Sequence, residues 1–199
     1  MRAVMISIKP QWCELIAKKQ KTIEVRKTRP KIKTPFKCYI YMTKSNLTGD
    51  RKAYKDRMAG KVIGEFVCDF INKYTAEFVN GDYYEDIRQI FDEDETIITS
   101  NEDENPNNCF LCNKSCLTFD EIKKYIGYNF HEKPFYGWHI SDLVIYNEPK
   151  EIGEFRKAGA LSYDDWLYGI YNGEFSYEKY LLPFKMTRPP QSWCYVEEK

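Results

Sequence analysis

Lys21, Glu24 and Arg26 stand within six residues of one another. Two cations and a carboxylate so spaced can grip a phosphate, and the carboxylate can also accept a hydrogen bond from a base amino group. Side chains alternate along a strand, so Thr22, Glu24 and Arg26 take one face there and Ile23 and Val25 the other. This polar trio reads either as a binding surface or as an outer strand face that shows its charge to water. Glu24 reads either as the partner of Arg26 or as an acceptor for a ligand.

Two elements precede the trio. Val4, Ile6 and Ile8 alternate as strand residues do. Pro10 suits the first position of a helix, where its missing N–H costs nothing. Trp12, Leu15 and Ile16 then recur at i, i+3 and i+4, one apolar helix face. The order is strand, short helix, turn and second strand, and Lys9 precedes a helix N-terminus that itself attracts anions.

Lys21 and Arg26 match the lysine and arginine of the glycine-x-lysine-x-x-x-x-arginine signature of the ASCH family, a branch of the PUA-like β-barrels, and the segment resembles it. Glu24 matches the acidic residue common between them, and Lys19 stands where the signature has glycine. The resemblance continues through Gly60-Lys61-Val62-Ile63-Gly64-Glu65-Phe66, Gly137-Trp138-His139-Ile140-Ser141 and the closing Pro189-Pro190-Gln191-Ser192-Trp193-Cys194-Tyr195-Val196. It implies an α+β fold: a small mixed β-barrel with an opening helix, a helical insertion and C-terminal helices. It also implies a cleft beside the first helix that binds RNA or a modified nucleobase or nucleoside. Lys9, Trp12, Lys21, Thr22, Glu24 and Arg26 are expected to line that cleft, with Gln191, Ser192 and Trp193 on its rim. An amide, a hydroxyl and an indole suit a flat heterocycle, whose edge they read and whose ring they stack on.

Some ASCH proteins resemble amidohydrolases that deacylate a modified cytidine with a lysine and a threonine of this motif, and others are reported as ribonucleases. Lys21 matches that lysine, but the threonine position holds Glu24, and Thr22 comes two residues early. A carboxylate cannot replace a hydroxyl nucleophile without a change of mechanism. A metal-independent ribonuclease would instead use Lys or Arg for charge stabilisation and Glu24 or His139 as base. Lys21 and Glu24 are thus the catalytic candidates if the chain is an enzyme.

The 199 residues suit one domain, with a probable insertion over 72–132 that compact ASCH domains lack. No apolar run reaches the length of a membrane span, and the N-terminus lacks the pattern of a secretory signal, so a cytoplasmic protein is expected, and the resemblance implies a bacterium or phage as its source. Zero net charge hides an asymmetry. Residues 1–63 carry 17 Lys/Arg against 4 Asp/Glu, and residues 64–121 carry 3 against 15. The basic part, which holds Lys18, Lys19, Lys21, Arg26, Lys27, Arg29, Lys31, Lys33 and Lys37 within twenty residues, would attract phosphates if it lies along one rim. The acidic part could take a basic protein partner or pair with the basic part in the fold.

Thr118, with Glu121 three residues on, signals a capping box for a helix that Gly127 ends, and Leu117 and Ile122 supply its hydrophobic staple. Just before it, Cys109, Cys112 and Cys116 have spacing that thiolate zinc ligands use, with His131 or His139 as a fourth ligand. Cys116 reads equally as a small buried residue at a helix start. The seven scattered cysteines fit reduced thiols better than a disulfide framework. Further helices are expected from Ser162 and from Ser176, and a last strand over 192–197.

Overall fold

The structure, a computed structural model, describes residues 2–44, 57–79, 84–90, 109–127, 133–158, 171–173 and 185–198. The architecture is mixed α+β, and its contacts group into two compact units. Unit 1 comprises Met1–Cys13, Phe36–Phe66 and Leu143–Lys199; unit 2 comprises Glu14–Pro35 and Val67–Asp142. The expected helices from Ser162 and Ser176 and the acidic loop 92–108 lie outside the described residues.

Unit 1 is built on a five-stranded sheet. Its strands are β1 (Arg2–Ile8), β3 (Phe36–Met42), β4 (Val62–Cys68), β8 (Ser141–Lys150) and β9 (Trp193–Glu197), in the order β8-β4-β3-β1-β9. β1 runs parallel to β3, with Ile6 opposite Ile40, and antiparallel to β9, with Met5 opposite Cys194. Residues 3–8 of β1 are buried on both faces, which is why its alternation carries apolar residues on each side. Ala3 and Met5 pack with Tyr39, Tyr41, Val62, Phe155, Met186 and Val196. Gly64 in β4 is expected to mark a bulge. Its role is close approach: a Cβ there would collide with the Val144 carbonyl of β8.

Unit 2 holds a four-stranded sheet in the order β2-β7-β5-β6. These are β2 (Ile23–Arg26), β5 (Ile71–Val79), β6 (Tyr84–Ile90) and β7 (Phe135–His139). The long strand expected over 61–71 is two strands, β4 and β5. Asp69 ends the first because its Oδ1 accepts the Phe70 N–H at 3.1 Å, a local bond that competes with the ladder. The strand expected over 136–146 likewise divides into β7 and β8, with Asp142 at φ 45°, a left-handed conformation that aspartate tolerates. The stretch 82–91 reads as a helix or a strand pair; its described residues 84–90 form β6, antiparallel to β5.

Three helices are described: α1 (Pro10–Ala17), α2 (Phe110–Ser115) and α3 (Phe119–Ile126). α3 has the expected cap. The Glu121 N–H donates to Thr118 Oγ1 at 3.2 Å, and the Thr118 N–H donates back to Glu121 Oε2 at 2.9 Å. Gly127 closes it. Phe119, Ile122 and Ile126 bury with Ile23 and Val25 of β2, Tyr74 and Phe135, and Leu117 packs against this core. α1 begins at Pro10 as expected, but the side chains it buries most completely are Cys13 and Ile16, while Trp12 and Leu15 stay half-buried.

Lys19, at the glycine position of the motif, has φ 59°. The Lys19 N–H donates to the Ile16 carbonyl at 2.8 Å and the Gln20 N–H to the Leu15 carbonyl at 2.9 Å, the paired bonds of a Schellman cap. The glycine geometry is therefore kept by a lysine, at a cost of roughly 1–2 kcal/mol that glycine avoids. Glycine is also the more disordered residue when unfolded. Lys19→Gly is accordingly expected to raise stability by about 0.5–1 kcal/mol and Tm by about 1–4 °C, whereas Lys19→Val lowers both; thermal unfolding of the two variants checks this.

Candidate functional site

The charged trio of unit 2 is inside the protein. Lys21, Glu24 and Arg26 are 2%, 7% and 6% exposed. Arg26 Nη2 stands 3.0 Å from Glu24 Oε1, and Lys21 Nζ stands 3.3 Å from Glu24 Oε2. Lys21 Nζ also donates to the Ser115 carbonyl at the end of α2, at 2.7 Å. The Thr22 N–H donates to the neighbouring Lys114 carbonyl at 2.9 Å. One carboxylate thus bridges two cations, which is what allows three charges to be buried together.

Strand register places Glu24 and Arg26 on a particular face. Glu24 is opposite Trp138 and Arg26 opposite Tyr136, while Ile71 of β5 is opposite Trp138 on the other side. Residues directly opposite across a ladder share a face. Tyr136 and Ile71 also line a pocket of about 950 Å³. The pocket therefore lies on the sheet face that carries Glu24 and Arg26. That volume falls in the ligand-site range of roughly 300–1,000 Å³.

The chain leaving β2 after Arg26 forms one wall of the pocket. Lys27, Arg29, Lys31 and Lys33 line it, joined by Lys133 from the approach to β7. All five are exposed, and none of the lining residues is acidic. Phe70 and Tyr136 add aromatic surface. Arg29 Cζ lies 5.8 Å from the Tyr136 ring centroid, and Lys27 Nζ lies 5.5 Å from that of Tyr125. The basic run thus lies along one concavity, and its closure by Phe70, Lys133 and Tyr136 leaves no trace in local spacing.

His139 is held at the end of β7. Its Nδ1 stands 2.6 Å from Asp69 Oδ1, and its ring stacks on that of Phe70 with centroids 4.3 Å apart. A carboxylate at one ring nitrogen fixes the imidazole's orientation and leaves Nε2 as the site for proton exchange. Next to Asp69, burial pushes the Cys68 thiol up to about 12 from 9.0; the Asp69 charge adds to this and the His139 backbone N–H opposes it. The unfolded chain loses that proton near pH 9 and the folded chain only near pH 12. Stability is present below pH 9 and falls as pH rises between the two values, by at most about 1.4 kcal/mol per pH unit. Urea unfolding of wild type and Cys68→Ala at pH 8, 9.5 and 11 is expected to show a weaker decline in the variant.

The other expected ligand residues belong to unit 1. Lys9 is exposed ahead of α1, and Trp12 is half-buried in its first turn. The Ser192 carbonyl accepts the Ser7 N–H at 2.9 Å, and Ser7 Oγ donates to the Pro190 carbonyl at 2.6 Å. Trp193 pairs with Ile6 across the β1/β9 ladder and packs edge-to-face on Tyr195, and Gln191 is exposed. Among the expected zinc ligands, Cys109 and Cys112 are buried at the start of α2. Cys116 caps its other end, with Sγ 3.4 Å from the Gln20 carbonyl, and His131 lies outside the described residues. Among the described residues, no group of three metal-ligating side chains gathers. No helix of the described residues is long and apolar enough to cross a membrane.

No family model and no curated protein matches the chain. Among solved structures similar to it is that of an ASCH protein from Zymomonas mobilis, at 15% identity and a TM-score of 0.47, covering 98% of this chain and 88% of that one. Two point mutants of the Zymomonas protein align at 15% and 14% identity, each with a TM-score of 0.45 over 98% of this chain and 91% and 89% of theirs. The ASCH family is also the one that the opening motif resembles.

Proposed function

We propose that this protein binds single-stranded RNA, or a modified nucleobase or nucleoside carrying phosphate, in the basic pocket of unit 2. The observation that supports this is the joint presence of five cationic side chains and two aromatic rings in one concavity. Cations track a phosphate backbone, and aromatic faces accept unstacked bases. Lys21, Glu24 and Arg26 act from beneath: they fix the end of β2, from which the Lys27–Lys33 wall departs. The test is a binding titration at low salt with a short single-stranded RNA, its duplex, and a panel of modified nucleosides and their monophosphates. Tightest binding to the single strand or to one modified nucleotide is expected. Equal affinity for all of them, or none for any, overturns the reading.

A second reading, that RNA is also cleaved, is favoured by the Asp69–His139 pair. His139 Nε2 would take the proton of a ribose 2′-hydroxyl as its oxygen attacks the adjoining phosphorus, and Asp69 would hold the ring. The P–O5′ bond would break, with the 5′-oxygen taking a proton from water. Incubation of RNA with the protein in excess chelator is expected to give cyclic phosphate ends. His139→Ala reduces them by about 10²–10⁴-fold, in line with general-base contributions, and Asp69→Asn, which removes only the group holding the ring, reduces them less. RNA left intact by wild type removes this reading and leaves the binding reading standing.

A further inference from the structure

We propose that Cys109 and Cys112 form a reversible dithiol–disulfide pair. The sequence Cys109-Phe110-Leu111-Cys112 sets two thiols three residues apart, with Cys109 at the N-cap of α2 and Cys112 in its first turn. The structure turns both inward to the same point. Their sulfur atoms stand 2.8 Å apart. Non-bonded heavy atoms settle at roughly 3.5–4.0 Å, so this separation is inside ordinary contact. The pair lies in the core of unit 2, among Ile23, Leu111 and Phe119. Nothing but a small rearrangement separates the two sulfurs from bonding distance, and the four-residue spacing is one that redox dithiols use.

The surroundings assign the roles. The Cys112 N–H donates to Cys109 Sγ at 3.1 Å, which favours negative charge on Cys109. Cys109, whose sulfur accepts this bond, is then the attacking sulfur and Cys112 the resolving thiol. With a hydroperoxide as oxidant, Cys109 sulfur attacks the terminal peroxide oxygen, the O–O bond breaks, and a sulfenic acid forms as an alcohol or water departs. Cys112 sulfur attacks Cys109 sulfur, the S–O bond breaks, and the hydroxide leaves as water with the Cys112 proton. Two thiols lose two electrons, and the peroxide gains them. Burial at 1% and 4% exposure keeps large disulfides away from both sulfurs. The closed bond would clamp the first turn of α2, whose last turn carries the Ser115 carbonyl under Lys21.

The experiment uses the full chain. Wild-type protein is treated with one equivalent of hydrogen peroxide, then unfolded, alkylated and weighed, and its peptides are mapped. Of the seven cysteines in the sequence, two are expected to escape alkylation, with a single bond linking 109 to 112, and dithiothreitol restores them. In Cys112→Ser the bond is absent and Cys109 is found as the sulfenic acid, trapped by dimedone. Mapping of wild type alone decides the matter if that variant does not fold. Alkylation of all seven, a bond to any other cysteine, or a zinc ion held by these two thiols in native mass spectrometry overturns the proposal.

Discussion

Glu24→Ala is expected to lower the unfolding free energy by about 3–5 kcal/mol, the usual result of removing the shared partner from a buried ion pair. The substitution leaves Lys21 and Arg26 in the interior with no carboxylate between them. Coulomb attraction turns into repulsion, while the Ser115 carbonyl still accepts from the Lys21 ammonium. In a protein whose total stability is about 5–15 kcal/mol, that loss places the variant near unfolding at ordinary temperature. Lys21→Met behaves differently. It deletes one cation, keeps the Glu24–Arg26 pair at 3.0 Å, and fills the space with apolar atoms, so its cost is set by the orphaned Ser115 carbonyl, about 1–3 kcal/mol. Urea unfolding ranks the two. A Glu24→Ala loss below about 1 kcal/mol would mean that water reaches the trio and that the charges are not buried together.

That contrast also marks where sequence reasoning stops. Period-two alternation assigned Glu24 and Arg26 to one face of β2 and Ile23 and Val25 to the other, and both assignments hold. What covers the polar face is a long-range property. The strand is one of two that border β7 and α2 lies against it, so all four of its residues are buried, whichever face they take. Nothing within 21–26 distinguishes that burial from a solvated edge, although a carboxylate at 24 placed between cations at 21 and 26 permits it. The helix ends were readable because caps are local chemistry: Thr118 with Glu121, Gly127 and Pro10 each act within one turn. Lys19 shows the converse. The turn is specified so strongly by Ile16 and Leu15 accepting the cap bonds that it survives without its glycine. The strand break at Asp69 was missed because an apolar run hides the one residue whose side chain interrupts it.

The pocket was half legible for the same reason: its lysines are contiguous, and its aromatics arrive from far along the chain. Salt dependence separates a working pocket from a solvated charge run. If all five cations each neutralise a phosphate of single-stranded RNA, log K falls against log salt with a slope of about −3.5. Affinity then drops about 100-fold between 50 and 200 mM salt. Replacing Arg29, Lys31 and Lys33 together with alanine leaves Lys27 and Lys133, so the slope is expected to fall to about −1.4 and the loss over the same range to about 7-fold. Because the three side chains are exposed, the unfolding midpoint should hardly move, which isolates binding from folding. Tyr136→Ala alone should weaken binding by about 1–3 kcal/mol with no change of slope, since stacking releases no counterions. A triple variant that keeps the wild-type slope would place the RNA elsewhere on the chain. A Tyr136→Ala slope that falls with the affinity would show that the ring acts by holding Arg29 in place, at 5.8 Å, rather than by stacking on a base.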